Sequence, residues 1–295
     1  MELEKFKPKI NDTIIILVLY KKKLNESMSF QALDNIFSNK NISVDLFIYD
    51  NSPTAMVQKE KYRSGYFNII YQHDAANLGL SKAYNEGYKI AKKLNKRWLL
   101  LLDQDTYFSE EIFIQYFHSI NNNPDIHLFA PILTDQDKIF SPCKYFLKRG
   151  FRIKDIKPGI HSLKKVALLN SGMLIAKSAF EECGGYNEKI RLDFADFEFL
   201  ERFKKYHPDF CLVGYRCKHM FASISDKNQQ EIMNRYKYFC HSAVQFSRTG
   251  AGYFILMFWT LLRGIKLSLK YKNFIFCLLF FKFFLLKKEL SRGLN

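Results

Sequence analysis

The sequence predicts an α/β fold with a mostly parallel central sheet flanked by helices, followed by amphipathic C-terminal helices. Three observations predict it. Short apolar runs rich in Ile and Leu alternate with helix-period segments over the first 135 residues. The links between them are short, as in a sheet covered by crossover helices. After residue 250 the pattern changes to long aromatic runs punctuated by Lys and Arg.

The elements follow in order. Residues 13–20 form a continuous apolar run with three Ile, suited to a strand buried on both faces. Residues 25–37 have helical spacing, and 43–49 read as a second strand that ends in Asp50-Asn51-Ser52-Pro53. Ser before Pro predicts an N-cap and first helical position there. Residues 67–71 are a third strand and 80–94 a helix. Residues 97–102, with Trp98 and four consecutive Leu, form a fourth strand. Ser109-Glu110-Glu111 starts a helix with acids in its first turn, and 127–133 is a further strand. Residues 134–164 lose the pattern and read as a long excursion. A strand over 165–176, a helix over 195–206, a strand over 210–215 and a helix over 229–248 complete the main body. This gives a domain over 1–250 and a basic, aromatic, membrane-associating segment over 251–295.

Composition narrows the function classes. Hydrophobic residues make up 48% and charged residues 25% of 295 residues, ordinary for a globular chain and unlike a disordered one or a collagen. The six cysteines form no CxxC pair, so free thiols in a reducing compartment are expected. The run at 14–20 is too short, and too poor in small residues after it, to read as a secretory leader.

The formal charge of +16 is uneven: residues 251–295 hold eight basic residues and one acid, Glu289. Their two aromatic runs, 253–262 and 274–286, fall short of the ~20 apolar residues of a bilayer-spanning helix. Basic residues separate the runs, which suits helices lying at a membrane surface, with Lys on anionic lipid and Phe in the acyl boundary. A C-terminal helix pair packed on the body with solvated Lys is the plainer alternative. The aromatics come in blocks rather than interleaved with basic residues, so no nucleic-acid partner is expected.

Acids at strand ends carry the chemistry. Asp50 ends the second strand. Asp103-Gln104-Asp105 follows the Leu run, so two carboxylates arrive at the carboxyl edge of the sheet, where ligands of such folds bind. Like charges that close repel unless a cation lies between them, and few hard oxygen donors suit Mg²⁺ or Mn²⁺ held with phosphates. For the tripeptide alone, a turn whose Asp side chains cap backbone groups before the helix at Ser109 is the stronger reading, because the tripeptide is common. Asp196 falls on the same helical stripe as Phe199, Leu200 and Phe203, where a carboxylate is costly without a partner or a task. Its alternative role is a first-turn acid favoured by the helix dipole. Glu198 and Arg202 at i,i+4 suit a surface ion pair. Asn170-Ser171-Gly172 interrupts a strand, where glycine permits close approach to a ligand. Gly184-Gly185 suits a helix stop. His219 follows a strand near where a third metal ligand would arise; a lone His is more often structural. No P-loop, dinucleotide fingerprint, zinc spacing or GxSxG elbow occurs.

Taken in order, Tyr20, Asp50-Asn51-Ser52, Asn77-x-Gly79 with Asn85-x-Gly87, Asp103-Gln104-Asp105, Asn170-Ser171-Gly172, Gly184-Gly185-Tyr186 and Asp193-x-x-Asp196-x-Glu198 resemble family 2 glycosyltransferases of the GT-A (nucleotide-diphospho-sugar transferase) fold. The match spans roughly residues 13–225. The Asp-Gln-Asp-Thr and Asp-x-x-Asp-x-Glu runs are most similar to the bacterial rhamnosyltransferase branch. The sequence departs from that branch at Lys21-Lys22, Leu192 and Phe199, and keeps the acids.

The resemblance implies a set of roles. Tyr20, Asp50, Asn77, Gly79, Asp103, Ser171 and Gly172 would bind the nucleotide sugar, with Tyr20 packing on the base and Asp50 accepting a hydrogen bond from it. Asp105, with His219 as a further ligand, would hold Mg²⁺ or Mn²⁺. Asp196 would be the general base of an inverting transfer. The implied enzyme moves L-rhamnose from dTDP-rhamnose to a lipid-linked oligosaccharide in surface polysaccharide synthesis (O-antigen or capsule), in the cytoplasm on the inner face of the cell membrane. The alternatives are another donor (UDP-galactose, UDP-N-acetylglucosamine or UDP-galactofuranose) or a non-catalytic basic binding module.

Overall fold

The computed structural model describes residues 2–38, 40–57, 65–220, 228–247 and 249–287. The described part of the tail therefore ends before Lys288, Glu289 and Arg292.

A short helix α1 (Lys7–Asn11) leads into β1 (Thr13–Leu19), buried at all seven positions as its unbroken apolar run requires. Helix α2 (Met28–Phe37) starts at Ser27, whose hydroxyl accepts from the Phe30 N–H, and β2 (Val44–Asp50) and β3 (Phe67–His73) follow. Helix α3 (Leu80–Lys93), β4 (Trp98–Asp103), β5 (Thr106–Tyr107), α4 (Glu111–Asn122) and β6 (Leu128–Asp135) complete the first half. Strands β3, β2, β1 and β4 are parallel neighbours in that order, and α3 packs on β1, β2 and β4.

The excursion over 134–164 holds β7 (Lys138–Ser141), β8 (Cys143–Phe146), β9 (Arg149–Phe151) and β10 (Gly159–Ser162). Strands β8 and β9 form a hairpin that pairs with β11 (Val166–Ala167) as a separate three-stranded sheet. The single strand expected over 165–176 is broken. Asn170-Ser171-Gly172 separates β11 from β12 (Leu174–Ala176), which runs antiparallel between β4 and β6 at the centre of the sheet. The chain then forms α5 (Lys177–Glu182), which the sequence reading did not anticipate, α6 (Ala195–Phe203) and β13 (Asp209–His219). Strand β13 is parallel to β6 and pairs antiparallel with β10 and β5.

The helix expected at Ser52-Pro53 is absent over residues 53–57. The carboxylate of Asp50 accepts from the backbone N–H of Ser52 and Met56 and folds the chain back as a turn, a competition that Asp wins over helix at such sites.

Helices α7 (Gln229–Phe246), α8 (Gly250–Tyr271) and α9 (Ile275–Phe280, extended by a π turn at Phe281–Leu285) pack on one another. The Tyr236 hydroxyl donates to the Thr260 carbonyl (2.7 Å) and its ring meets Phe276 edge-on. The segment is helical, as expected, and its two aromatic runs lie on separate helices that meet after Tyr271, although the first helix extends well past the first run. Helix α8 runs through Arg263, Lys266 and Lys270, and by length and composition is apolar enough to cross a membrane. It buries a narrow seam of Leu256, Thr260 and Gly264 and exposes Phe254, Phe258, Ile265 and Leu269 along one side.

Candidate active site

The functional side chains gather where the strand order turns back on itself. From β1 the chain proceeds to β2 on one side and later to β4 on the other, a switch point at whose strand carboxyl ends ligands of such sheets bind. Asp50 and Asp103 lie opposite Leu19 and Val18, so both end strands that flank β1. The backbone N–H of Tyr20 donates to Gln104 Oε1 (2.9 Å) and Gln104 Nε2 donates back to the Tyr20 carbonyl (3.2 Å), locking the ends of β1 and β4 together. The Tyr20 ring is exposed, free to meet a flat partner.

The third member of the cluster comes from far along the chain. Strand β5 pairs with the end of β13, with His219 opposite Thr106. That pairing sets the imidazole beside the acids, and one ligand atom from each of Asp103, Asp105 and His219 lies within 4.8 Å of the others. A polar chain fixes them. The Asp103 N–H donates to Ser171 Oγ (3.1 Å), Ser171 Oγ is 2.7 Å from Thr106 Oγ1, and Thr106 Oγ1 is 2.7 Å from His219 Nδ1. Ser171 is thus at the site, one layer behind the acids.

Charge in this cluster is unbalanced. Burial, then the neighbouring Asp105 carboxylate, raises the Asp103 pKa; His219 and the Tyr84 hydroxyl, which donates to Asp103 Oδ1 (2.9 Å), oppose the rise. Asp105 Oδ1 is buried and has no hydrogen-bond partner. A buried carboxylate oxygen left over beside a second acid and a ring nitrogen is the donor set a hard divalent cation fits. A divalent cation therefore suits these residues.

Asp196 lies in the first turn of α6, half-buried, above the buried Phe199, Leu200 and Phe203, as the stripe predicted. Desolvation pushes its pKa up to about 7; the charges of Asp103 and Asp193 add to the rise, and the Phe197 N–H (2.9 Å to Oδ1) opposes it. The coupling to Asp103 puts both acids in one electrostatic environment. The Tyr84 hydroxyl that holds Asp103 belongs to a ring packed on Tyr186 (centroids 5.2 Å), and Tyr186 stacks on Phe199 of α6 at 4.3 Å.

Several expected residues take more structural parts. Asp50 is fully buried and accepts from Ser52, Met56 and the Tyr71 hydroxyl (2.8 Å), so it shapes the loop floor. Asn77 ends a turn built on Asp74, whose carboxylate takes the Tyr49 hydroxyl and the N–H groups of Ala76 and Leu78. Gly79 has φ +93, and a Cβ there would lie 2.2 Å from the Arg191 carbonyl, which accepts from the Leu80 N–H. Gly172, at φ +84, packs against Pro131: its Cβ would meet the proline ring at 2.7 Å. Arg202 and Glu198 form a two-pronged, partly buried pair (2.8 and 2.7 Å), and Arg202 also donates to the Cys183 carbonyl. The pair therefore ties α6 to the Gly184-Gly185 turn and is more than a surface contact.

Tyr84, Thr106, Asp74 and Arg235 were not singled out from the sequence. Tyr84 lies within the Asn77–Gly87 motif, and Thr106 directly follows Asp105. Arg235, on α7, carries no sequence signal, because only the fold brings it to Asp193.

Comparison with known proteins agrees with this architecture. No family model matches the chain. It is 27% identical over 132 residues (44% of each chain) to dTDP-rhamnosyl transferase RfbF of Shigella flexneri. It is 25% identical over 203 residues to the low-salt glycan biosynthesis hexosyltransferase Agl10 of Haloferax volcanii, covering 66% of this chain and 62% of that one. The chain thus spans less than two thirds of the length of these relatives. Among solved structures, it matches GalNAc-T7 with UDP, GalNAc and Mn²⁺ at TM-score 0.57 and 12% identity, covering 81% of this chain and 51% of that one. It matches residues 1–349 of S. aureus TarS with UDP-GlcNAc at TM-score 0.52 and 13% identity, covering 84% and 71%. The fold expected from the motifs, GT-A, is the fold this chain has, and its sequence relatives are glycosyltransferases.

Proposed function

We propose that this GT-A-fold relative of the family 2 glycosyltransferases transfers a sugar from a nucleotide donor to a hydroxyl of its acceptor with inversion. One observation carries the reading. Asp103, Asp105 and His219 converge at the strand ends with Asp105 Oδ1 unsatisfied, and a further half-buried acid, Asp196, shares their field.

In this mechanism Asp103, Asp105 and His219 would hold Mg²⁺ or Mn²⁺, which when bound would offset negative charge on the departing nucleoside diphosphate. The exposed Tyr20 ring packs on the base, and the loop set by Asp50, Asn77 and Gly79 receives the nucleoside. A carboxylate oxygen of Asp196 takes the proton of the acceptor hydroxyl as that oxygen attacks the anomeric carbon. The bond from the anomeric carbon to the diphosphate oxygen breaks, and its electron pair leaves with the diphosphate. A base whose pKa is near 7 is matched to this work at neutral pH.

The donor is dTDP-rhamnose in this reading, supported by the name of the Shigella relative and by the Asp-Gln-Asp-Thr run. The acceptor is a lipid-linked glycan of surface polysaccharide synthesis, reached by the domain over 1–250 while the segment over 251–295 rests on the cytoplasmic membrane face. The exposed apolar side of α8 supports this placement. UDP sugars form the second reading of the donor, favoured by the UDP and UDP-GlcNAc complexes of the structural neighbours.

The test is release of nucleoside diphosphate from a panel of dTDP and UDP sugars, with Mn²⁺ or with chelator. Metal-dependent turnover of dTDP-rhamnose alone is expected. Turnover of only UDP sugars replaces the donor. No turnover or binding of any donor removes the function.

A further inference from the structure

The hairpin of β8 and β9 carries a tip that its own fold does not explain. Phe146 and Arg149 pair across it, and Leu147 and Lys148 form the two-residue turn with φ +47 and +60. Turns with both φ values positive favour Asn-Gly, since a side chain crowds the backbone there. Here a leucine takes the first position, 44% exposed, beside Phe146, 58% exposed. Leu147 is thus unfavourable twice over, in its backbone conformation and in its exposure, and Phe146 beside it adds exposed apolar surface.

The tip is nonetheless firmly held from behind. Trp259 of α8 donates its indole N–H to the Leu147 carbonyl (3.0 Å), and the Arg149 guanidinium lies 4.5 Å from the Trp259 ring centre. Lys148 pairs with Glu201 of α6, and the Tyr145 hydroxyl donates to the same carboxylate (2.8 Å). The Tyr145 ring packs on Phe197, the residue after Asp196. A braced hairpin thus joins α6 to α8 and presents Phe146 and Leu147 outward, next to the exposed side of α8 where Phe258 adjoins Trp259. The hairpin itself is basic: residues 138–154 hold six basic side chains and no acid, with Asp137 and Asp155 at its margins and Glu201 paired to Lys148.

We propose that the β8–β9 tip is a second membrane contact. Phe146 and Leu147 enter the acyl boundary of an anionic bilayer while Arg149 and Arg152 meet its headgroups. This rests on the reading that the enzyme works at a membrane through α8. It adds a second point of attachment, fastened to the helix that bears Asp196, so that the active-site opening keeps one orientation over the bilayer.

The six native cysteines are all buried, so one introduced thiol can be labelled on the full chain. Leu147→Cys and, separately, Leu269→Cys on α8 carry an environment-sensitive fluorophore. The probes are vesicles of phosphatidylcholine alone and of phosphatidylcholine with phosphatidylglycerol, each with and without brominated acyl chains. The label at 147 should shift to the blue and be quenched by bromine on anionic vesicles only. Leu147→Asn should weaken vesicle binding about tenfold, the scale of one buried Leu, with no loss of thermal stability because Asn tolerates the turn. A response at 269 with none at 147 overturns the tip contact and leaves membrane binding through α8 intact. No response at either overturns both. A shift without vesicles that grows with protein concentration assigns the tip to a second copy of the chain and also overturns the proposal.

Discussion

Arg235 on α7 holds Asp193 through two hydrogen bonds of 3.0 Å, from Nε to Oδ2 and from Nη2 to Oδ1. Asp193 precedes Phe194, which takes the left-handed φ of +72 at the start of α6, and the Phe194 ring packs on Phe239 and Phe246 of α7. One helix from beyond the sheet therefore sets where α6 begins, and with it the position of Asp196. Arg235→Met should lower kcat by about tenfold to a hundredfold with little change in donor KM, the scale of a small misplacement of a reacting group. Arg235→Lys should recover only part of the loss, because a single ammonium cannot reproduce the fork. Steady-state kinetics on the two variants check this.

The same pair sets a charge. Asp193 raises the Asp196 pKa, and the Arg235 cation beside it offsets that effect. Transfer requires ionised Asp196, so activity should fall as pH drops through about 7. In Arg235→Met, Asp193 keeps only the more distant Arg263 cation and moves this limb to higher pH, and Asp193→Asn moves it lower. A pH profile of kcat in the three proteins shows whether the shifts have these opposite signs.

Asp196 also costs stability. Its folded pKa is above the unfolded value, so between about 4 and 7 the folded state holds the extra proton and stability declines as pH rises through that window. Asp196→Asn should therefore be more stable than the parent at pH 8, by an amount on the order of 1–3 kcal/mol. The gap should close toward pH 4, while transfer is lost throughout. Urea unfolding at the two pH values reads the sign directly.

Gly79 has no room for a side chain. Gly79→Ala brings a Cβ within 2.2 Å of the Arg191 carbonyl at a positive φ, so the loop at 77–79 and the segment before α6 must part. A destabilisation of about 2–4 kcal/mol and a loss of donor binding are expected. Denaturant unfolding and nucleotide titration test the two effects together.

The strands and main helices were legible in the sequence because buried parallel strands are written as continuous apolar runs and helices as periodic ones. Asp103, Asp105 and Asp196 were legible because carboxylates on buried elements violate the local pattern. The antiparallel β12 was not: its three residues continue an apolar run, and only the Asn170-Ser171-Gly172 break hinted that the chain turns. The helix expected at Pro53 failed because Asp50 turns its carboxylate onto the following amides, a local contest that Ser-Pro statistics do not weigh. The pairing of β5 with β13, which delivers His219 to the acids, and the grip of Arg235 on Asp193 depend on contacts more than 40 residues apart in sequence. Periodicity contains no such information. Helix α8 shows a related limit: its apolar run alone is short, but the backbone carries the helix on through Arg263, Lys266 and Lys270 to 22 residues.

The central claim is that Asp103, Asp105 and His219 make one divalent-cation site that receives a nucleoside diphosphate. Thermal unfolding with dTDP or UDP, each with and without Mn²⁺, tests it most directly and needs no acceptor. Stabilisation should require nucleotide and metal together, reaching about 2.7 kcal/mol at a hundred times Kd, and should vanish in Asp105→Asn while that variant alone unfolds like the parent. Equal stabilisation of parent and variant, or none in either under any combination, would contradict the account.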